Sequence, residues 1–290
     1  MTLCPLCEMD KLLKIEHKSV YHYEEQVTLG PHDILMFPQH RSYIKILRSS
    51  LKVSPSPQGK YERINAEGNT YYNIWFQNDT QKLEIISSIS VKLLPFNPFG
   101  FILKKGLEFP FSLFEYDNRE LPALRPYLIL DNDSNFMLEY VDLQMNCSTD
   151  LVSFLTNLVA SIKSKWNHVL REEEGILSLR SVFASKSGSC RDLSWMLMQM
   201  LRTKGLASRF VSGYAYNPEL DTGHELHAWV EVYLPGAGWI GLDPSLGLFT
   251  DEFYIALACS HDPLLTMPIY GSYSGSKSSK LKTEVNIYHI

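Results

Sequence analysis

The sequence predicts an α+β protein, with an N-terminal antiparallel β-sandwich followed by an α+β core. Three observations carry this. Residues 15–94 hold strand-like runs and no competing helical period. Two amphipathic helical segments follow between residues 148 and 205. Three further strand-like runs come after them, ending at Asp243. Helices grouped ahead of strands place the helices on one side of an antiparallel sheet.

The chain has 290 residues, enough for about two domains. It is 45% hydrophobic and 20% charged, which is globular composition and excludes a disordered or collagen-like chain. Lys plus Arg is 27 and Asp plus Glu is 32, so the formal charge is −5. A nucleic-acid binder driven by counterion release is basic, so nucleic acid is not an expected partner. No apolar run reaches the ~20 residues of a membrane helix. The start of the chain lacks an apolar signal core, so a cytoplasmic location without membrane attachment is expected.

The five cysteines, Cys4, Cys7, Cys147, Cys190 and Cys259, are an odd number, which fits a reducing compartment better than a disulfide framework. Cys4 and Cys7 have CxxC spacing. Neither a second pair nor a histidine pair at finger spacing accompanies them, so no metal or cofactor is expected there.

Four domain segments follow: a tail over 1–14, a β-rich domain over 15–100, an ordered connector over 101–147, and a core with its C-terminal segment over 148–290. In the β-rich part, Val20–Tyr23, Tyr43–Val53, Thr70–Phe76 and Lys82–Leu94 are rich in β-branched and aromatic residues. Leu83, Ile85, Ser87, Ile89, Val91 and Leu93 share one face. Gly68-Asn69 and Asn78-Asp79 supply turns. His17, His22, His32 and His40 are scattered and read as structural or surface residues. Pro95, Pro98, Pro110, Pro122 and Pro126 then break an aromatic-rich stretch, denying it helix and central strand.

In the core, Ser148 or Thr149 caps a helix expected from about Asp150 to Leu170, with Leu151, Leu155, Leu158, Val159, Ile162, Trp166 and Val169 on one face. A second helix starts at Ser189, an N-cap with Asp192 at N3. Leu193, Met196, Leu197, Met200 and Leu201 repeat at helical spacing, and Gly205 suits the C′ position. Strands are expected at Ala207–Tyr214, Leu226–Leu234 and Trp239–Asp243. Ser274–Lys280 reads as a flexible loop, and Leu281–Ile290 as a last strand.

Cys190 is the first residue of the second helix and lies on its buried stripe. Unpaired N–H groups and the helix dipole there favour thiolate, the nucleophilic form. His227 lies on a strand whose alternation puts it on one face with Trp229, Glu231 and Tyr233. Asp243 ends the next strand. A cysteine, a histidine and an acid so placed form a possible nucleophile, base and orienter. Each also has an ordinary structural use: a small apolar core residue, a half-buried strand histidine, an acid in a turn. An ideal four-residue turn over Pro235–Gly238 puts Asp243 opposite Val230, so contact with His227 needs a bulge or another register. His224 falls in a polar loop and reads as a rim residue.

The blocks Gly188-Ser-Cys-Arg-Asp192, Leu206-Ala-Ser-Arg-Phe-Val-Ser-Gly-Tyr214 and His227-Ala-Trp-Val-Glu-Val-Tyr-Leu-Pro-Gly-Ala-Gly-Trp-Ile-Gly-Leu-Asp-Pro-Ser245 resemble the core of bacterial transglutaminase-like proteins. Leu29-Gly-Pro-His32 and Phe37-Pro38 resemble the β-rich domain that precedes that core, and Ala256-Leu-Ala-Cys259 extends the likeness downstream. The resemblance implies a papain-like fold and a Cys-His-Asp triad of Cys190, His227 and Asp243. It implies a cysteine protease or amidase working through a thioester without cofactor or metal, on a peptide or protein substrate. Transamidation is the alternative chemistry, and a peptide-binding module without catalysis is the alternative class. ATP-grasp-type peptide ligases are partners that the family resemblance suggests. Ser245 stands where the family usually has Thr.

Overall fold

The computed structural model describes residues 11–104, 109–171, 173–219 and 225–290. It opens with β1 (Lys11–Ile34), a 24-residue strand. β2 (Ile44–Ser54), β3 (Gly59–Ile64), β4 (Thr70–Trp75) and β5 (Thr80–Leu93) follow. β1 serves two ladders. Residues 11–22 and Val27 pair with β5, and residues 32–34 pair with β4. The register of the β5 ladder shifts between His22 and Val27, ahead of the β4 ladder that begins at His32. The part expected to be a tail up to residue 14 therefore includes the start of a buried strand, with Leu13 fully buried. β3 was not expected. Its Gly-Lys-Tyr-Glu-Arg-Ile is exposed after the first residue, as an edge strand with no core face can be.

The connector contains α1 (Leu121–Leu124) and α2 (Leu138–Asn146). Its aromatic residues pack on the core: Phe114 and Tyr116 are buried in the main cluster. The Tyr116 hydroxyl donates to the Tyr233 carbonyl (2.8 Å) and accepts from the Ala207 N–H (2.9 Å).

α3 (Leu151–Lys165) is capped by Asp150, which accepts from the Ser153 N–H (2.9 Å). The cap is thus Asp150, in place of Ser148 or Thr149. The helix ends at Lys165, short of the expected Leu170, because Trp166 turns extended and Asn167–His168 becomes β6. α4 (Leu179–Ser185), β7 (Ser187–Gly188) and α5 (Cys190–Thr203) come next. β6 and β7 form a two-residue parallel ladder that pairs His168 with Gly188.

β8 (Ser208–Ala215), β9 (Leu226–Leu234), β10 (Gly238–Asp243), β11 (Leu248–Phe249) and β12 (Tyr254–Ser260) form one antiparallel sheet in the order β11-β10-β9-β8-β12. α5 packs on one face of this sheet, with Leu193, Met196, Leu197, Met200 and Leu201 meeting Ala228, Val230 and Val232 in one buried cluster. Burying such a face stabilises at roughly 25 cal/mol per Å² of apolar area. Beyond α5 the sheet also meets the N-terminal sheet: Tyr214, Ile255 and Leu257 pack with Leu13, Ile15, Ile89 and Val91.

β13 (Ile269–Ser274) and β14 (Ser279–His289) leave the core and pair with β1. The C-terminal segment grouped with the core in the sequence thus completes the N-terminal sheet. No helix of the described residues is long and apolar enough to cross a membrane.

Candidate active site

The α5 start is built as its sequence implies. Asp192 accepts from the Ser189 N–H (2.9 Å) and hydroxyl (2.6 Å), closing the first turn. Arg171 adds a fork to the same carboxylate, Nε at 3.2 Å and Nη2 at 3.1 Å, and the Leu177 N–H donates to it at 2.8 Å. Asp192 is fully buried and held below the ordinary carboxylate range. Burial opposes ionisation there, but the Ser189, Leu177 and Arg171 donors outweigh it. It therefore fixes α5 and the loop after β6 at once.

β9 and β10 bring the other two residues together. Gly236 (φ 91°) and Gly238 (φ 77°) take left-handed conformations that suit glycine. Gly238 pairs with Leu234, and the register runs on to Leu242 opposite Val230. This is one residue off the ideal four-residue turn. Continued by one, it sets Asp243 across from Trp229, on the same face as His227 and diagonal to it. Asp243 Oδ2 then lies 2.7 Å from His227 Nε2.

Asp243 has further donors. The Tyr254 hydroxyl reaches the same Oδ2 at 2.7 Å, and the Ser245 and Leu246 N–H groups reach Oδ1 at 2.8 and 3.2 Å. Burial works against its charge, but His227 and these donors hold its pKa down. Trp229 lies beside the pair, in edge contact with Tyr254.

Three groups lie near enough to the Cys190 sulfur to favour its thiolate: the imidazoles of His168 and His227 and the Ala228 backbone. Burial alone would raise the thiol. The two imidazoles and the charge on His227 prevail and bring it down to about 6. Burial likewise opposes the imidazolium of His227, yet Asp243 and Cys190 raise it to about 10. A thiolate–imidazolium pair is the resting form this favours. Cys190 is partly accessible, Cys259 buried and Cys147 exposed.

The structure thus places Cys190, His227 and Asp243 in one chain of contacts. Sequence reasoning passed over His168 and Tyr254. His168 sits in no recognised motif, and Tyr254 belongs to a strand buried throughout, without alternation to mark a face. Glu231, on the same strand face as His227, is held between Arg41 (2.9 Å) and Arg209 (2.6 Å). Trp239 packs against Tyr127 and Tyr233 in the core. Arg191 donates to the carbonyls of Arg171 (2.9 Å) and Glu173 (3.0 Å). Cys4, Cys7 and His224 lie outside the described residues. Among the described residues, no group of three or more His, Cys, Asp or Glu is placed to hold a metal ion.

Two family models match. The bacterial transglutaminase-like N-terminal region covers residues 13–92, and the transglutaminase-like superfamily covers 142–244, which includes all three candidate residues. The chain is a transglutaminase-like protein. An uncharacterized protein of Mycobacterium tuberculosis is 23% identical to this transglutaminase-like chain, covering 94% of it and 91% of the relative. A protein-glutamine gamma-glutamyltransferase of Pseudomonas aeruginosa is 34% identical over 71 residues, 22% of this chain and 11% of that protein. The crystal structure of a candidate cysteine protease from Cytophaga hutchinsonii superposes with a TM-score of 0.69 at 16% identity. It covers 96% of this chain and 91% of that one, so the two share the transglutaminase-like fold, papain-like in its core, throughout.

Proposed function

We propose that this transglutaminase-like protein is a thiol enzyme that transfers an acyl group from a peptide or side-chain amide, ordinarily to water. The observation carrying this reading is the contact chain from the Cys190 sulfur to His227, and from His227 Nε2 to Asp243 Oδ2 at 2.7 Å. It supplies a nucleophile, a base and an orienter in the order that acyl transfer needs.

The thiolate attacks the amide carbonyl carbon, and the C=O electron pair moves onto oxygen. The Cys190 N–H, free at the helix start, donates to that oxyanion. On collapse the C–N bond breaks, and the amine or ammonia leaves with the proton from His227. Asp243 keeps Nε2 protonated, so the nitrogen facing Cys190 is the one that exchanges the proton. His227 then draws a proton from water, which attacks the thioester and releases the acid.

An amine in place of water gives transamidation. The similarity to the Pseudomonas gamma-glutamyltransferase favours keeping that second reading. A cytoplasmic site of action fits an exposed free thiol at Cys147.

The test is mass-spectrometric profiling of a peptide library containing glutaminyl side chains, with and without a primary amine, for the wild type and Cys190→Ala. New carboxyl ends or glutamates made only by the wild type support hydrolysis, and amine adducts support transamidation. Products formed equally by Cys190→Ala would end the reading.

A further inference from the structure

A second imidazole faces the nucleophile. The His168 imidazole lies near enough to the Cys190 sulfur to favour its thiolate, and it comes from β6, whereas His227 comes from β9. Unlike His227, which pairs with Asp243, it makes no ion pair with a carboxylate among the described residues, and it lies exposed at the edge of the core. Its position is nonetheless built. The β6–β7 ladder pairs His168 with Gly188, two residues before Cys190. The Asn167 N–H donates to the Lys186 carbonyl (2.8 Å), and the Val169 N–H donates to the Gly188 carbonyl (3.0 Å). Just beyond, the Arg171 fork ties the chain to Asp192 in the first turn of α5. The segment bearing His168 is therefore fastened on both sides to the element that bears Cys190. Trp166, buried two residues earlier, anchors it through a hydrogen bond to the Val182 carbonyl (3.1 Å).

We propose that His168 is a catalytic residue: its ring N–H is the second oxyanion donor, acting with the Cys190 N–H. This rests on the acyl-transfer reading above. In the resting enzyme the N–H donates to the thiolate. When the S–C bond forms, the negative charge moves from sulfur to the carbonyl oxygen, and the donor moves with it over a short distance. No proton is transferred by His168. Its N–H stays on the ring while His227 supplies the leaving amine with its proton. This division of labour explains why two imidazoles meet one sulfur while only one has a carboxylate behind it. A donor that must stay neutral gains nothing from such a partner, whereas a base that must carry charge does.

Two reactions of the same thiol separate this role from simple activation of the cysteine. Acylation by p-nitrophenyl acetate passes through an oxyanion. Alkylation by iodoacetamide occurs at a saturated carbon and forms none. Both would be measured to their high-pH plateau, where the thiol is ionised in every variant. His168→Ala is expected to lower the acylation plateau by about 10²-fold while leaving the alkylation plateau within a few-fold of wild type. His168→Gln, which retains an N–H donor, should recover most of the loss. An acylation-to-alkylation ratio equal in wild type and His168→Ala overturns the proposal, and so does an equal loss in the Gln and Ala variants. A wild type that shows no Cys190-dependent p-nitrophenolate release would instead overturn the acyl-transfer reading, so the two failures are distinct.

Discussion

Asp243 reaches His227 diagonally across the β9–β10 ladder, Oδ2 to Nε2 at 2.7 Å, because Gly238 pairs with Leu234. A register one residue different would put Asp243 on the opposite face of its strand from His227. The contact therefore depends on the glycine turn at 235–238 as much as on the two side chains. The register concern raised by the sequence is resolved by a shorter turn, without a bulge.

Cys190→Ala should abolish turnover and leave the fold unchanged, since the N1 position asks only for a helical backbone and the capping Asp192 is retained. Rate assays, circular dichroism and thermal unfolding would check this. Activity that survives in Cys190→Ala and disappears in Cys147→Ala would move the nucleophile elsewhere.

Asp243→Asn should fold but lose roughly 10³- to 10⁴-fold in rate. If the amide NH₂ takes the place of Oδ2, it donates to Nε2 and forces the ring proton onto the nitrogen facing Cys190. That nitrogen then cannot accept a proton from the thiol. Single-turnover kinetics would read the loss in acylation, and an unimpaired acylation rate would refute the orienting role.

Tyr254→Phe removes one of the two donors at Asp243 Oδ2. A hydrogen bond to a charged group is worth about 1.5–3 kcal/mol, so stability should fall by about that much. The Asp243 carboxyl should also rise in pKa, since the Tyr254 donor helps hold it down. The acid limb of the rate profile should then move to higher pH. Urea unfolding and a pH–rate series measure the two effects.

The inactivation rate by iodoacetamide should rise with a midpoint near pH 6 and then stay flat until His227 loses its proton toward about pH 10. His227→Ala should shift the rise upward toward an ordinary thiol at ~8.5. Linkage gives matching signs in stability. The raised His227 contributes fully below ~6.5 and its contribution is lost as pH climbs to about 10, while the depressed Asp243 contributes above ~4 and loses its contribution as pH falls further. Superimposable inactivation profiles for the two proteins would mean that His227 does not activate the thiol.

Glu231→Ala should destabilise by about 3–5 kcal/mol, because it leaves the largely buried guanidinium groups of Arg41 and Arg209 facing each other without their anion. Arg41 comes from the N-terminal part and Arg209 from β8, so the loss should appear in chemical denaturation as weakened joining of the two sheets. A change under about 1 kcal/mol would show the cluster to be dispensable.

Local chemistry made α5 legible in advance. Its N-cap, its apolar repeat and its glycine C′ all act within a few residues, and together they put Cys190 at the first helical position. Alternation in Leu226–Leu234 likewise set His227 and Trp229 on one face before any partner strand was known. The family blocks joined these to Asp243, although no local rule could do so. The rest needed the tertiary structure. The β9–β10 register follows from two left-handed glycines in a turn that composition alone reads as a longer loop. Tyr254 and its strand lack alternation because every residue of it is buried, Ile255 and Leu257 against the N-terminal sheet and Tyr254, Ala256 and Cys259 with Val211 and Trp229, so periodicity marks nothing there. β13 and β14 return to β1 through pairings remote in sequence, which depend on an open strand edge supplied by the other end of the chain. His168 reaches Cys190 only through a two-residue parallel ladder. Such a contact leaves no periodic trace, because backbone hydrogen bonds hold it and any side chain could have occupied the position.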